Sequence, residues 1–140
     1  MQGIPDMPPD VAAVFQGYPP DIRKRLLAVR HLIFDVAGDQ AAGPLTETLK
    51  WGEPAYLTQA TKSGTTIRLG RVGGQDGAAV LFNCQTTLVT GFRDQFGDVF
   101  RFDGNRALLL ETDGDLPKAP LAICLARALT YHRAKRRGAS

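Results

Sequence analysis

Only two cysteines, Cys84 and Cys124, occur in this 140-residue chain, and they are far apart in sequence. That excludes a disulfide framework and makes reduced thiols the expectation. The histidines are equally scarce, His31 and His132, so no Cys-x-x-Cys or His-x-x-x-His pair exists to hold zinc. Long apolar runs are missing too. The most apolar stretch, Pro120 to Leu129, is interrupted by Arg127 and is too short to span a bilayer. The opening Met1-Gln2-Gly3-Ile4-Pro5 has neither a basic nor an apolar leader region, so a cytoplasmic location is expected, with no membrane partner. No Gly-x-Ser-x-Gly elbow, phosphate-cradling loop or dinucleotide fingerprint is present, and no catalytic residues or cofactor are expected. Gly70-Arg71-Val72-Gly73-Gly74 is only a glycine-rich turn.

The charge excess is small, +3, and much of it lies late in the chain at Arg127, Arg133, Lys135, Arg136 and Arg137. Such an end complements the negative pole of a terminal helix as readily as it meets phosphate. Without aromatic-rich strand motifs, nucleic acid is not an expected partner.

With 44% hydrophobic and 22% charged residues, the chain has globular composition at a common single-domain size. One domain over 1–140 is expected, with its core in 10–133, an extended lead-in at 1–9 and a basic tail at 134–140. Pro5, Pro8 and Pro9 favour the lead-in, and a short helical turn is predicted over Asp10–Gln16. Pro19 and Pro20 stop that turn. A long helix then runs from a cap at Asp21 to Gly38. Ile22, Leu26, Val29, Ile33 and Val36 form its buried stripe, which leaves Arg23, Lys24, Arg30 and Asp35 to solvent and His31 near the solvent edge.

After Thr46 the period changes. Gly52 and Pro54 punctuate two short extended pieces. Thr65–Val72 alternates as a strand, with Ile67 and Leu69 on one face and Arg68 on the other. A turn over Gly73–Gly77 returns the chain as an antiparallel strand over Ala78–Cys84. A helix follows, capped by Thr86 or Thr87 and striped by Leu88, Phe92 and Phe96, with Asp94 and Asp98 sharing a face. A hairpin around Asp103-Gly104-Asn105 and a final helix from Pro117–Pro120 to Lys135 complete the chain. The fold class is α+β: an antiparallel sheet packed against N- and C-terminal helices, with one helix inserted between strands.

Several runs carry a family resemblance. They are Phe15-Gln16-Gly17-Tyr18-Pro19, Lys50-Trp51-Gly52-Glu53-Pro54-Ala55-Tyr56, Phe82-Asn83-Cys84-Gln85-Thr86-Thr87-Leu88 and Ala128-Leu129-Thr130-Tyr131-His132. The chain resembles the bacterial YdhG-like family over nearly all of Phe15–His132. The resemblance implies a compact α+β fold, frataxin-like in outline. One branch of that family is described as a frataxin-like intracellular iron chaperone, which would make iron the cargo. Hard carboxylate ligands would then be needed. Glu47, Glu53 and Asp94 are the candidates here, but they form no dense acidic ridge.

Two further readings come from the residues themselves. Cys84, before a helix start, could be an activated thiol with His132 as its base, although continued alternation from Val80 and Phe82 would make it a small core residue. Lys50, Trp51, Tyr56, Arg68, Asn83, Arg93 and Arg106 could line a groove for a small anionic molecule or a protein partner's acidic segment, since guanidinium forks suit carboxylate and phosphate. Trp51 and Tyr56 would be its apolar walls. Alternatively Arg68 and Arg106 form cross-strand ion pairs with Glu47 or Glu111, and Trp51 is a core anchor.

Overall fold

The computed structural model describes residues 4–72 and 77–138. Two prolines set where its first helices begin. Pro9 opens α1 (Pro9–Gly17) and Pro20 opens α2 (Pro20–Asp39), where a helix has no use for the missing N–H. The Ile22, Leu26, Val29, Ile33 and Val36 stripe is buried, as its spacing predicts. Arg30 departs from expectation: it is buried rather than solvent-facing. It stands one helical step beyond Leu26, on the flank of the stripe, and reaches Glu47.

The chain continues through β1 (Thr46–Lys50), β2 (Glu53–Leu57), β3 (Ile67–Gly70) and β4 (Ala78–Leu81). Then come α3 (Leu88–Phe96), β5 (Arg101–Asp103), β6 (Ala107–Leu110), α4 (Lys118–Leu129) and α5 (Tyr131–Gly138). The strands form one antiparallel sheet in the order β1-β2-β3-β4-β6-β5. The predicted turn before β4 lies, at 73–76, outside the described residues. β3 and β4 are shorter than their alternating patterns suggested: Thr65 N–H is turned to Ala128 O, and past Leu81 the ladder ends in one bond, from Phe82 N–H to Arg106 O (2.7 Å). The helix over Leu88–Phe96 ends before Asp98, so Asp98 does not share its face with Asp94.

One face of the sheet carries the core. Tyr56, Ile67, Leu69, Val80, Phe82, Leu108 and Leu110 pack with the apolar stripes of the helices. Phe92 meets Phe82 edge-on at 5.2 Å between ring centroids, which locks α3 beneath β4. The final helix is not continuous, contrary to its apolar period. At the α4–α5 junction the segment Ser63–Thr65 takes over helix carbonyls: Thr65 N–H donates to Ala128 O (2.9 Å) and Ser63 Oγ to Leu129 O (2.8 Å). Arg133 N–H in turn donates to Ser63 O (2.9 Å), so α5 restarts from the loop. No helix among the described residues is long and apolar enough to cross a membrane.

Candidate functional site

The run Lys50–Tyr56 is a hairpin whose every residue has a local reason. Lys50 pairs with Glu53, leaving a two-residue loop in which Trp51 (φ 56°) and Gly52 (φ 76°) are both left-handed. That is the primed turn matching strand twist. Gly52 adopts it freely, whereas tryptophan is an uncommon residue there. Pro54 turns its ring nitrogen towards β3 and has no N–H for Leu69, opposite it by register. The Tyr18 hydroxyl supplies the donor instead, reaching Leu69 O at 3.1 Å. Burial, reinforced by the Glu53 charge and opposed by Arg71, raises the Tyr18 phenol to about 12.

Tyr56 lies on the core face. Its hydroxyl donates to Glu47 (2.8 Å), which also receives Arg30 through Nε (2.6 Å) and Nη2 (2.9 Å). The Arg30 and Glu47 side chains are 10% and 5% exposed. The Glu47 bond holds the Arg30 guanidinium above its usual range against the opposing effect of burial. Burial, with Glu47 next, pushes the Tyr56 phenol far up. Arg30 also donates to Pro5 O (2.8 Å) and lies over the Phe34 ring (5.1 Å), so the cluster joins lead-in, α2, β1 and β2.

Among the described residues no helix packs on the other face of the sheet, and register sorts its side chains into two rows. One reads Lys50, Glu53, Gly70, Ala79, Leu109, Arg101; the next reads Thr48, Ala55, Arg68, Leu81, Ala107, Asp103. Val72, Ala79, Leu81 and Ala107, all buried, with the partly buried Leu109 against them, form a second small apolar cluster at its middle. Arg68 Nη1 bonds Glu53 Oε1 across the β2–β3 pair, and Arg106 Nη2 reaches Asp103 Oδ2 at 3.3 Å. The ion pairs expected of both arginines are therefore present, but with Glu53 and Asp103 rather than Glu47 and Glu111. The Glu53 carboxylate lies directly over Gly70, where a methyl group would overlap it.

Burial raises the Glu53 pKa, more than the neighbouring Arg68 and Arg106 charges lower it. The ionised carboxylate is thus held at a cost despite its bond to Arg68. A folded-state pKa above the unfolded one contributes stability that is present at acid pH and lost as pH rises through the folded value. Thermal melts of Glu53→Gln against the parent should therefore show a difference that grows in the variant's favour as pH climbs through the carboxylate range. A difference that is flat with pH would contradict this account.

Of the groove residues expected from sequence, Lys50 and Arg68 stand on the open face, Arg106 reaches it from the hairpin turn through Asp103, and Trp51 stands at its rim, 90% exposed. Trp51 is thus no core anchor. Tyr56 is removed to the core. Asn83 is exposed in the turn after β4, where its Oδ1 accepts the Gln85 N–H at 2.9 Å. Arg93 donates to Gly104 O (2.6 Å) and lies over Phe102 (5.5 Å), on the helix side of the β5–β6 hairpin. Cys84 is exposed rather than a core residue, because the chain leaves the ladder before it; the buried thiol is Cys124, which burial pushes up to about 12. The carboxylates wanted for iron are engaged differently: Glu47 by Arg30, Glu53 by Arg68, while Asp94 is exposed on α3. Among the described residues no three of His, Cys, Asp and Glu gather as a metal site. The Glu53–Gly70–Arg68 arrangement was the part hidden from the sequence; the glycine inside a strand pattern was its one signal.

Two clefts lie elsewhere. One of about 880 Å³ runs between Ile4–Pro5, Phe34 and the Asp39–Leu45 loop. The other, about 420 Å³, meets the open face only at its Arg101–Leu109 margin.

No family model matches the sequence, and no curated protein matches it either. Among solved structures, the chain is similar to YdhG of Bacillus subtilis, a protein of the DUF1801 family. The likeness has a TM-score of 0.56 at 14% identity and covers 92% of each chain. At that identity the fold is what is shared, and the fold of this chain is that of a YdhG-like domain of unknown function.

Proposed function

We propose that the open face of the sheet is a binding surface for an anionic segment of a partner, engaged by Arg68 and Arg106. The observation that carries this reading is the half-buried carboxylate of Glu53, which bonds Arg68 and feels the charge of Arg106, on a face that no helix among the described residues covers. Glu53 holds the place that an incoming carboxylate or phosphate would take. Gly70 leaves the space that the Glu53 carboxylate fills, so an anion displacing Glu53 would meet the Arg68 guanidinium there. The face is shallow and the two clefts lie away from its centre, which favours an extended segment over an enclosed small molecule.

A fluorescein-labelled oligo-glutamate peptide, titrated by anisotropy at low ionic strength, tests the reading. Arg68→Gln and Arg106→Gln should each weaken binding on the order of tenfold, in line with loss of a charge-assisted hydrogen bond. Glu53→Gln should tighten it by freeing Arg68 from its internal competitor, and added salt should weaken it throughout. Binding that ignores both arginines, or absence of binding to the parent chain, would sink the proposal.

A further inference from the structure

We infer that β1 is a self-association edge, along which a second copy of this chain adds antiparallel to continue the sheet. β1 and β5 are the outer strands of the sheet. β5 has only three residues, the short form in which edges are blunted, whereas β1 runs five residues, Thr46–Lys50, without proline or bulge. The two-residue loop at Trp51-Gly52 makes Lys50–Glu53 a hydrogen-bonded pair, so Thr46, Thr48 and Lys50 direct their backbone groups at β2. Glu47 and Leu49 must then point N–H and C=O outwards, and among the described residues no backbone or side-chain partner meets those groups. Leu49 accordingly stands opposite Pro54, which needs no donor there.

This edge is complementary to itself about Thr48. A two-fold axis there sets Glu47 of one copy against Leu49 of the other, and the outward backbone groups of these residues form two hydrogen-bonded pairs. Lys50 faces Thr46, so no like charges oppose each other, and Trp51 falls beside Leu45. Trp51 is 90% exposed in a left-handed conformation, and no contact within the chain accounts for it. Contact with a second copy does, by burying the indole at the end of each strand pair. A pair of five-residue strands joins little surface, so the dimer is expected to be concentration-dependent.

Sedimentation equilibrium over a hundredfold range of protein concentration reads this out. The parent chain should pass reversibly from monomer to dimer. Thr48 lies on the open face, so Thr48→Lys and Thr48→Glu leave the monomer folded, as thermal melts should show. On the axis, however, the two copies of the residue stand about 4.5 Å apart at Cα, and each charged variant alone should stay monomeric. An equimolar mixture of the two should dimerise again. Trp51→Asn supplies the Asn-Gly sequence the turn prefers, so it should raise the melting temperature while weakening self-association. A parent chain that is monomeric throughout, charged variants that dimerise normally, or a mixture that stays monomeric would each overturn the two-fold pairing. Undiminished association of Trp51→Asn would overturn the role given to Trp51.

Discussion

Replacing Glu47 with alanine is expected to lower stability by about 3–5 kcal/mol, the usual consequence of stripping one partner from a buried ion pair. Glu47 accepts both nitrogens of Arg30 and the hydroxyl of Tyr56, and all three groups sit where water is excluded. Without it Arg30 keeps only Pro5 O and the Phe34 face, and Tyr56 loses its acceptor. For a chain of this size the melting temperature should fall on the order of 10–15 °C. A double replacement, Arg30→Leu with Glu47→Leu, should recover much of the loss, because it removes the desolvated charges together. Urea melts of the single and double variants would decide it. A loss below about 1 kcal/mol for Glu47→Ala would mean that the cluster is wet enough to behave as a surface pair.

Gly64→Ala should be nearly as damaging, for a steric reason. A methyl group at residue 64 would overlap the Leu129 carbonyl and crowd that of Ala128, and both are backbone atoms at the α4–α5 junction that no rotamer change can move. Relief requires the loop to lift away. That breaks the bonds from Ser63 and Thr65 to Leu129 and Ala128, and the bond from Arg133 to Ser63. Overpacking of this kind costs about 1–3 kcal/mol, and losing the buried hydrogen bonds adds to it. Circular dichroism melts should show the destabilisation, and amide exchange should show residues of α5 exchanging early. If exchange in α5 is unchanged, the loop is not what restarts that helix.

Both effects centre on residues whose importance has different sources. The long helix was legible because Ile22, Leu26, Val29, Ile33 and Val36 repeat at the α-helical period and proline marks their start. The strands around Arg68, the inserted helix and the β5–β6 hairpin were legible from alternation and turn residues. Arg30 was not. It is a long cation one step off the stripe, and only the arrival of Glu47 from β1 makes its burial favourable. The break at Thr130 was hidden for the same reason, since α4 and α5 form one apolar-to-basic run until a loop more than sixty residues earlier claims its carbonyls.

The candidate site divides in the same way. Sequence alone determined that Arg68 points away from Ile67 and Leu69, that Gly52 separates two short extended pieces, and that one face of the sheet would be apolar. These depend on periods of two and on local backbone preferences, which neighbours in sequence decide. Only the tertiary structure decided that Glu53 lies over Gly70 and bonds Arg68, that Tyr56 and Glu47 belong to the core, and that β1 is an edge. Strand order and cross-strand register bring together residues remote in sequence, and the burial they create sets which charges are paired and which remain available.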